Sequence, residues 1–231
     1  MNNLIGIIGA MDIEVNGLIS VMTEKSIDTI SGISFVKGKI YDRDVVVAKC
    51  GIGKVFASIC AQTMILKYAP RIVINSGVAG ALSNDLSIMD AVVATKVVQH
   101  DIDTSPLGDP KGLISGINVV YIDTDSEASK ALKLSAEALD ICVKNGIIAS
   151  GDQFIANQEK KQQIKDDFDA ISCEMEGAAI GHVCYVNNIP FAIMRTISDG
   201  KGEALDYNTF AVKAANQSIE IIKKFLKNYE V

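Results

Sequence analysis

Phe191-Ala192-Ile193-Met194-Arg195-Thr196-Ile197-Ser198-Asp199 is the stretch on which the reading of the fold turns. Pro190 opens it, the run is almost wholly apolar, and it stops at the polar exit Ser198-Asp199-Gly200. Apolar residues at successive positions, not alternate ones, predict a strand buried on both faces, as in a sheet covered by helices. Upstream, Ile171-Ser172-Cys173-Glu174-Met175-Glu176-Gly177-Ala178-Ala179 leads into apolar residues at Ile180, Val183 and Val186. That pattern places two carboxylates and a thioether where a strand hands over to a helix. A helix beginning near Glu176 would favour a carboxylate there through its N-terminal amides, which accounts for one acid but not for both. In open α/β sheets ligands bind beyond the carboxyl ends of strands, the position of both the Glu-Met-Glu and the Ser-Asp.

Working outward, the same strand-then-helix order recurs. Leu4 to Gly9 predicts a buried first strand, leading through Ala10-Met11-Asp12-Ile13-Glu14 into a helix with Val15, Leu18, Ile19 and Met22. Residues 33–40 and 44–50 predict a hairpin joined around Asp42-Arg43, followed by Cys50-Gly51-Ile52-Gly53-Lys54 and an apolar helix from Val55 to Tyr68. Gly51-Ile52-Gly53 looks like the start of a dinucleotide fingerprint, but Phe56 stands at its third small position and no ribose-binding acid follows at the required distance. Arg71 to Asn75 predicts another buried strand, closing on the glycine-rich turn Ser76-Gly77-Val78-Ala79-Gly80-Ala81. Small residues there let backbone amides approach a ligand, although a tight turn alone accounts for them equally well. Val92 to Val98 is strand-like, with a long irregular exit from His100 to Pro110, and a loop of that length usually has a function. Helical periodicity from Ser126 to Lys144, ended by Asn145-Gly146, precedes a short strand Ile147 to Ser150 and its exit Gly151-Asp152-Gln153-Phe154-Ile155. An amphipathic helix from Asn208 to Tyr229 closes the chain. With no repeat, low-complexity tract or linker in 231 residues, a single α/β domain over 1–231 is expected.

Composition narrows the partners. At 48% hydrophobic and 22% charged the chain is ordinary globular protein. A net charge of −6 argues against nucleic acid, whose binding needs basic surface, and leaves small molecules as the expected ligands. Five cysteines, an odd number without a C-x-x-C pair, read as buried thiols in a reducing compartment. The apolar start is too short for a membrane span and lacks a basic leader, so a cytoplasmic protein without membrane contact is expected.

Collected at the strand exits are Glu14, Glu174, Glu176 and Asp199, with Arg195 near the end of the last core strand. His100 and His182 are too few and too far apart to suggest zinc, and His182 falls on the apolar face of its helix, which leaves a serine or cysteine nucleophile without a base. No metal or cofactor is expected. Acids without metal or imidazole suit cleavage at an acetal-like carbon, where one carboxylic acid protonates the leaving group and another carboxylate activates water. For an N-glycoside the leaving group is a base, and protonating a purine ring nitrogen is a step within reach of Asp199.

Gly-Ala-Met-Asp-Ile-Glu-Val (9–15), Gly-Ile-Gly-Lys (51–54), Asn-Ser-Gly-Val-Ala-Gly (75–80), Ser-Gly-Asp-Gln-Phe-Ile (150–155), Glu-Met-Glu (174–176) and Arg-Thr-Ile-Ser-Asp (195–199) together resemble the 5′-methylthioadenosine/S-adenosylhomocysteine nucleosidases. The resemblance runs from the first strand to the last helix with the motifs in the family's order. It implies a homodimer of the nucleoside phosphorylase type, an α/β fold in three layers with a mixed central β-sheet flanked by helices. It implies hydrolysis of methylthioadenosine and adenosylhomocysteine to adenine and the 5′-thioribose, with 5′-deoxyadenosine as a further substrate. By position, Glu14 would activate water, Asp199 would protonate adenine N7 with Ser198 orienting it, and Glu176 would bind the ribose hydroxyls while Met175 lies against the sugar. Phe154 would stack on adenine and Ile155 would offer backbone hydrogen bonds to its edge. Met11, Ile52 and Tyr207 would wall the ribose and alkylthio pocket; Val78, Ala79, Gly80 and Glu174 belong to the same substrate site, and Arg195 matches a residue near the water. The loop from Asp101 to Pro110 reaches, in that family, into the partner subunit's pocket, which assigns Thr104 and Leu107 to a neighbouring site. Leu107 and Asp109 depart from the aromatic residues expected there, and Val78 from a common serine, a change that removes a hydroxyl but leaves the amides.

Two rivals stay open at this point, a phosphate-dependent purine nucleoside phosphorylase of the same fold and a non-catalytic nucleoside-binding protein. A phosphate pocket needs cationic or amide-rich ligands. Phosphorylases of this type tend to place an arginine just before the glycine-rich turn, where this chain has Asn75, and Asp12 and Glu14 would repel phosphate.

Overall fold

The computed structural model describes residues 3–200 and 204–229. The chain runs β1 (Ile5–Gly9), α1 (Asp12–Val21), β2 (Thr23–Ile30), β3 (Ile33–Ile40), β4 (Arg43–Lys49), α2 (Lys54–Tyr68), β5 (Ile72–Ala81), β6 (Ala91–Gln99), a 3₁₀ turn (Ser105–Leu107) and β7 (Tyr121–Asp123). It continues α3 (Ser126–Glu137), β8 (Val143–Ser150), α4 (Gln158–Phe168), β9 (Ala170–Glu174), α5 (Gly177–Val186), β10 (Phe191–Asp199) and α6 (Ala204–Asn228).

Every residue of β10 is buried. Its side chains alternate between two cores, Phe191, Ile193 and Ile197 in one and Ala192 and Met194 in the other, as the two-residue period of a strand requires. β1 divides the same way, Ile8 to the first core and Ile5 and Ile7 to the second. Helices α2 and α5 cover the first core through Ala57, Cys60, Met64, Ala179 and Ile180. The second is covered by α1, α3 and α6 through Leu18, Leu132, Ile222 and Phe225. Each aliphatic side chain so buried contributes ~1.5–3 kcal/mol relative to exposure. The three-layer expectation therefore holds.

The strand order is β10-β6-β8-β9-β5-β1-β4-β3-β2, with β7 on β6 and a further pairing of β10 with β5. Parallel pairs join β1 to β4 and β5, β10 to β5, and β8 to β6 and β9. The pairs β2–β3, β3–β4, β5–β9, β6–β7 and β6–β10 are antiparallel, so the sheet is mixed. The β10–β5 pairing closes β10, β6, β8, β9 and β5 into a ring, which the sequence reading did not anticipate.

Two local readings are corrected. Ser76–Ala81 is no turn, because β5 runs through it to Ala81, with Gly77 beside Arg195 and Gly80 beside Asp199 in the register of β10. Its glycines make room for side chains: a Cβ on Gly77 would collide with Glu14 Oε1, and one on Gly80 would lie 2.8 Å from Asp199 Oδ2. The helix expected to reach Lys144 ends at Glu137; Asp140 turns the chain at φ 57° and Val143–Gly146 pair with Ala91–Ala94 of β6. Tertiary pairing overrides local helical periodicity there. Strands β2 and β7 and helix α4 were not foreseen; β2 is mostly exposed, with little apolar alternation to announce it.

Candidate active site

The exits of β1, β5, β8, β9 and β10, with Ile52 and Tyr207, enclose a cavity of about 400 Å³, within the range of small-molecule sites.

Glu14 reaches this cavity from the third position of α1. Its Oε2 accepts from the N–H groups of Ala10 at 2.7 Å and Met11 at 3.0 Å, and its Oε1 accepts from the Val78 N–H at 3.0 Å. The reach back to amides ahead of its own helix is what an acid at that position does in a capping box. Burial raises its proton affinity above the ordinary carboxylate range, outweighing the opposing pull of Arg195 and the three amides. A carboxyl tuned upward is suited to taking a proton near neutral pH.

Glu174 ends β9 and is the acid that caps α5. It accepts from the N–H groups of Glu176 at 3.1 Å and Gly177 at 2.8 Å, from Ser150 Oγ and from Arg195. The capping role expected of Glu176 therefore falls to Glu174, and Glu176 is free for other work. Glu176 reaches across to α2, where its Oε1 accepts from the Gly53 N–H at 2.8 Å. Burial first, and the neighbouring Glu174 second, push the Glu176 carboxyl up to about 8.

Arg195 does not line the cavity. It is 2% exposed and donates to Glu174 and Asn75, so the expected contact with substrate becomes support from behind the wall. Its charge favours the ionised forms of Glu14 and Glu176 through space.

Asp199 closes β10. Its Oδ1 accepts from Ser198 Oγ at 3.2 Å and its Oδ2 from Lys161 Nζ at 3.1 Å. Lys161 was not singled out from the sequence, because α4 was not recognised; its spacing with Ile164 and Phe168 on one helical face was the available signal.

The remaining walls are mostly apolar. Phe154 meets Tyr207 edge to face, with ring centroids 5.4 Å apart, and the Tyr207 hydroxyl lies 3.3 Å from Met11 Sδ. Ile52, Met175, Ala79, Gly80 and Ile155 complete the expected lining, and Ala10, Gln153 and Cys173 join it unforeseen. Thr104 and Leu107 are absent from the lining: Thr104 Oγ1 donates to Asp109 Oδ2 at 2.8 Å, and Leu107 is 84% exposed. Among the described residues no three His, Cys, Asp or Glu side chains converge on a point that could hold a metal ion.

The sequence profile described as "Phosphorylase superfamily" matches residues 4–227. A 5′-methylthioadenosine/S-adenosylhomocysteine nucleosidase of Shewanella loihica is 37% identical over 227 residues, covering 97% of this chain and 99% of the relative. This chain belongs to the phosphorylase superfamily, in its 5′-methylthioadenosine/S-adenosylhomocysteine nucleosidase family. A nucleosidase of that family from Neisseria meningitidis, solved in complex with methylthio-immucillin-A, is similar at a TM-score of 0.94 and 29% identity, over 98% of this chain and 100% of its own. A futalosine hydrolase of Helicobacter pylori is similar at a TM-score of 0.94 and 34% identity, over 99% of each chain. The mixed sheet and its flanking helices are thus the nucleoside phosphorylase architecture.

Proposed function

We propose that this chain hydrolyses the N-glycosidic bond of 5′-methylthioadenosine and S-adenosylhomocysteine, and of 5′-deoxyadenosine, releasing adenine and the 5′-substituted ribose. The observation that carries the reading is the convergence of three buried carboxyls, Glu14, Glu176 and Asp199, at 4%, 7% and 5% exposure, on one cavity. Asp199, ion-paired with Lys161, takes up a proton from solvent as the purine binds and gives it to adenine N7 as the C1′–N9 bond breaks and its electron pair passes to the base. Water forms the new bond to C1′ and loses a proton to Glu14, while Glu176 holds the ribose hydroxyls and Met175 packs on the sugar. Phe154 stacks on the base, with Ile155 at its edge. Negative charge around C1′ favours the oxocarbenium-like transition state.

Water is favoured over phosphate by the way the anion-binding groups are occupied. Glu14 already fills the cradle of amides from Ala10, Met11 and Val78, and successive amides of that kind are what would hold a phosphate. Arg195 is committed to Glu174, and Asn75 is committed to the Ile8 carbonyl and Arg195. Chromatography of methylthioadenosine incubated in phosphate-free buffer tests the reading. Adenine released without phosphate supports it, adenine released only after phosphate is added means a phosphorylase, and intact nucleoside means a binding protein.

The same reading takes the chain, as one domain over 1–231, to a homodimer in a reducing cytoplasm. Val55, Phe56 and Leu66 of α2 and, separately, Leu107 are exposed apolar side chains, with Leu66 at 76%, of the kind that protein partners cover. A dimer in which Thr104 and Leu107 serve the neighbouring pocket would use the loop that this chain's own pocket leaves aside. All five cysteines are free thiols, as a reducing compartment keeps them, though Cys142 is exposed and not buried as expected, and among the described residues no helix is long and apolar enough to cross a membrane.

A further inference from the structure

Lys161 is the only buried lysine among the described residues, at 3% exposure. It sits on the inward face of α4 with Ile164 and Phe168, and the other side chains of that helix are Gln, Glu, Lys and Asp. An apolar residue is what such a slot ordinarily takes, since a buried ammonium is strongly unfavourable unless it is paired and hydrogen-bonded. Here the pairing is specific. Nζ donates to Asp199 Oδ2 at 3.1 Å and to the Gly200 carbonyl at 2.7 Å, and both side chains of the ion pair are sealed from solvent. The second oxygen, Oδ1, accepts from Ser198 Oγ at 3.2 Å. The carboxyl is therefore clamped on one edge by its own strand and on the other by a helix that follows the Phe154–Ile155 wall. Lys161 itself does not line the cavity.

We propose that Lys161 is a positioning residue for Asp199, holding the carboxyl at the angle and depth at which it meets N7 of the bound purine. The proposal rests on the nucleosidase reading above and adds to it a residue that touches no substrate. Geometry of this kind matters because a displacement of one ångström at a reacting group costs on the order of 10²-fold in rate.

The test compares wild type with K161M, which keeps an apolar stem without the ammonium, and K161R, which keeps a cation. Each is assayed for adenine release from methylthioadenosine. Each is also titrated with two non-reacting analogues, a 9-deazaadenine nucleoside whose N7–H donates toward Asp199 and a 7-deazaadenine nucleoside with only C–H at that position. In K161M, kcat is expected to fall about 10²-fold with KM within about threefold, as loss of orientation without loss of binding requires. The 9-deaza analogue should bind at least about tenfold more weakly while the 7-deaza analogue binds as before, and K161R should lie between K161M and wild type. Equal weakening of both analogues, or an unchanged kcat in K161M, overturns the proposal in favour of a merely structural lysine. If K161M does not fold, the same analogue ratio is read on K161Q, with the same two outcomes. A wild type that releases no adenine would defeat the nucleosidase reading instead, and the analogue ratio would still decide the role of Lys161.

Discussion

A carboxyl sealed in a pocket carries a stability cost that its function imposes, and Glu176 is the clearest case. The unfolded chain releases this proton near 4.5, whereas the folded chain holds it to about 8, chiefly because of burial. Between those values the folded state binds more protons than the unfolded one, so its stability falls as pH rises, and the full cost is present above about 8. Glu176→Gln keeps the shape and removes the charge. It is expected to melt above wild type at pH 8 by ~2–4 °C for each kcal/mol relieved, and to lose that advantage at pH 4.5, in thermal melts at the two pH values. The chemistry should move the other way. Asp199→Asn removes the transferable proton while keeping size, and should lose ~10²–10⁴-fold in kcat yet still bind substrate analogues. Glu14→Gln should lose a similar factor, ~10²–10⁴, through the water; steady-state adenine release by either variant at more than a tenth of the wild-type rate would move the role to another group.

At the scale of elements, β5 shows how a strand accommodates a site. Gly77 and Gly80 are the places where Glu14 and Asp199 come close to its backbone. Gly77→Ala would push the end of Glu14 off the amides that hold it without disturbing the strand, so the protein should fold with a lowered melting temperature while kcat drops about 10²-fold. A variant with full turnover would show that the position of Glu14 is not critical. The same stretch explains a misreading. Glycine ordinarily punctuates, so Ser76–Ala81 looked like a turn in the sequence; only the register with β10 reveals a strand whose missing side chains are filled by acids from elsewhere. The end of α3 failed for a related reason, since Val143–Gly146 are held by pairing with β6, a partner distant in sequence. Lys161 escaped notice because α4 is so polar that its one buried face is short.

For the molecule as a whole, the proposed homodimer makes a direct prediction. Phe56→Glu together with Leu66→Glu would place two charges on the exposed apolar face of α2, and light scattering should then report a monomer where wild type gives a dimer. A wild type of monomeric mass would remove the assembly from the reading. The sequence by itself determined the layers, because runs such as Phe191–Met194 are apolar at successive positions and only a sheet covered on both faces can bury them. It also determined which acids stand at strand exits. It did not determine what each acid does, since Glu174 and Glu176 are two residues apart and chemically identical. Their division of labour, one capping α5 and gripping Arg195, the other held by Gly53, depends on which distant amides and cations the closed sheet brings beside each carboxyl. Hydrogen bonds and burial act through space, so that assignment and the clamp of Lys161 on Asp199 came into view only with the tertiary structure.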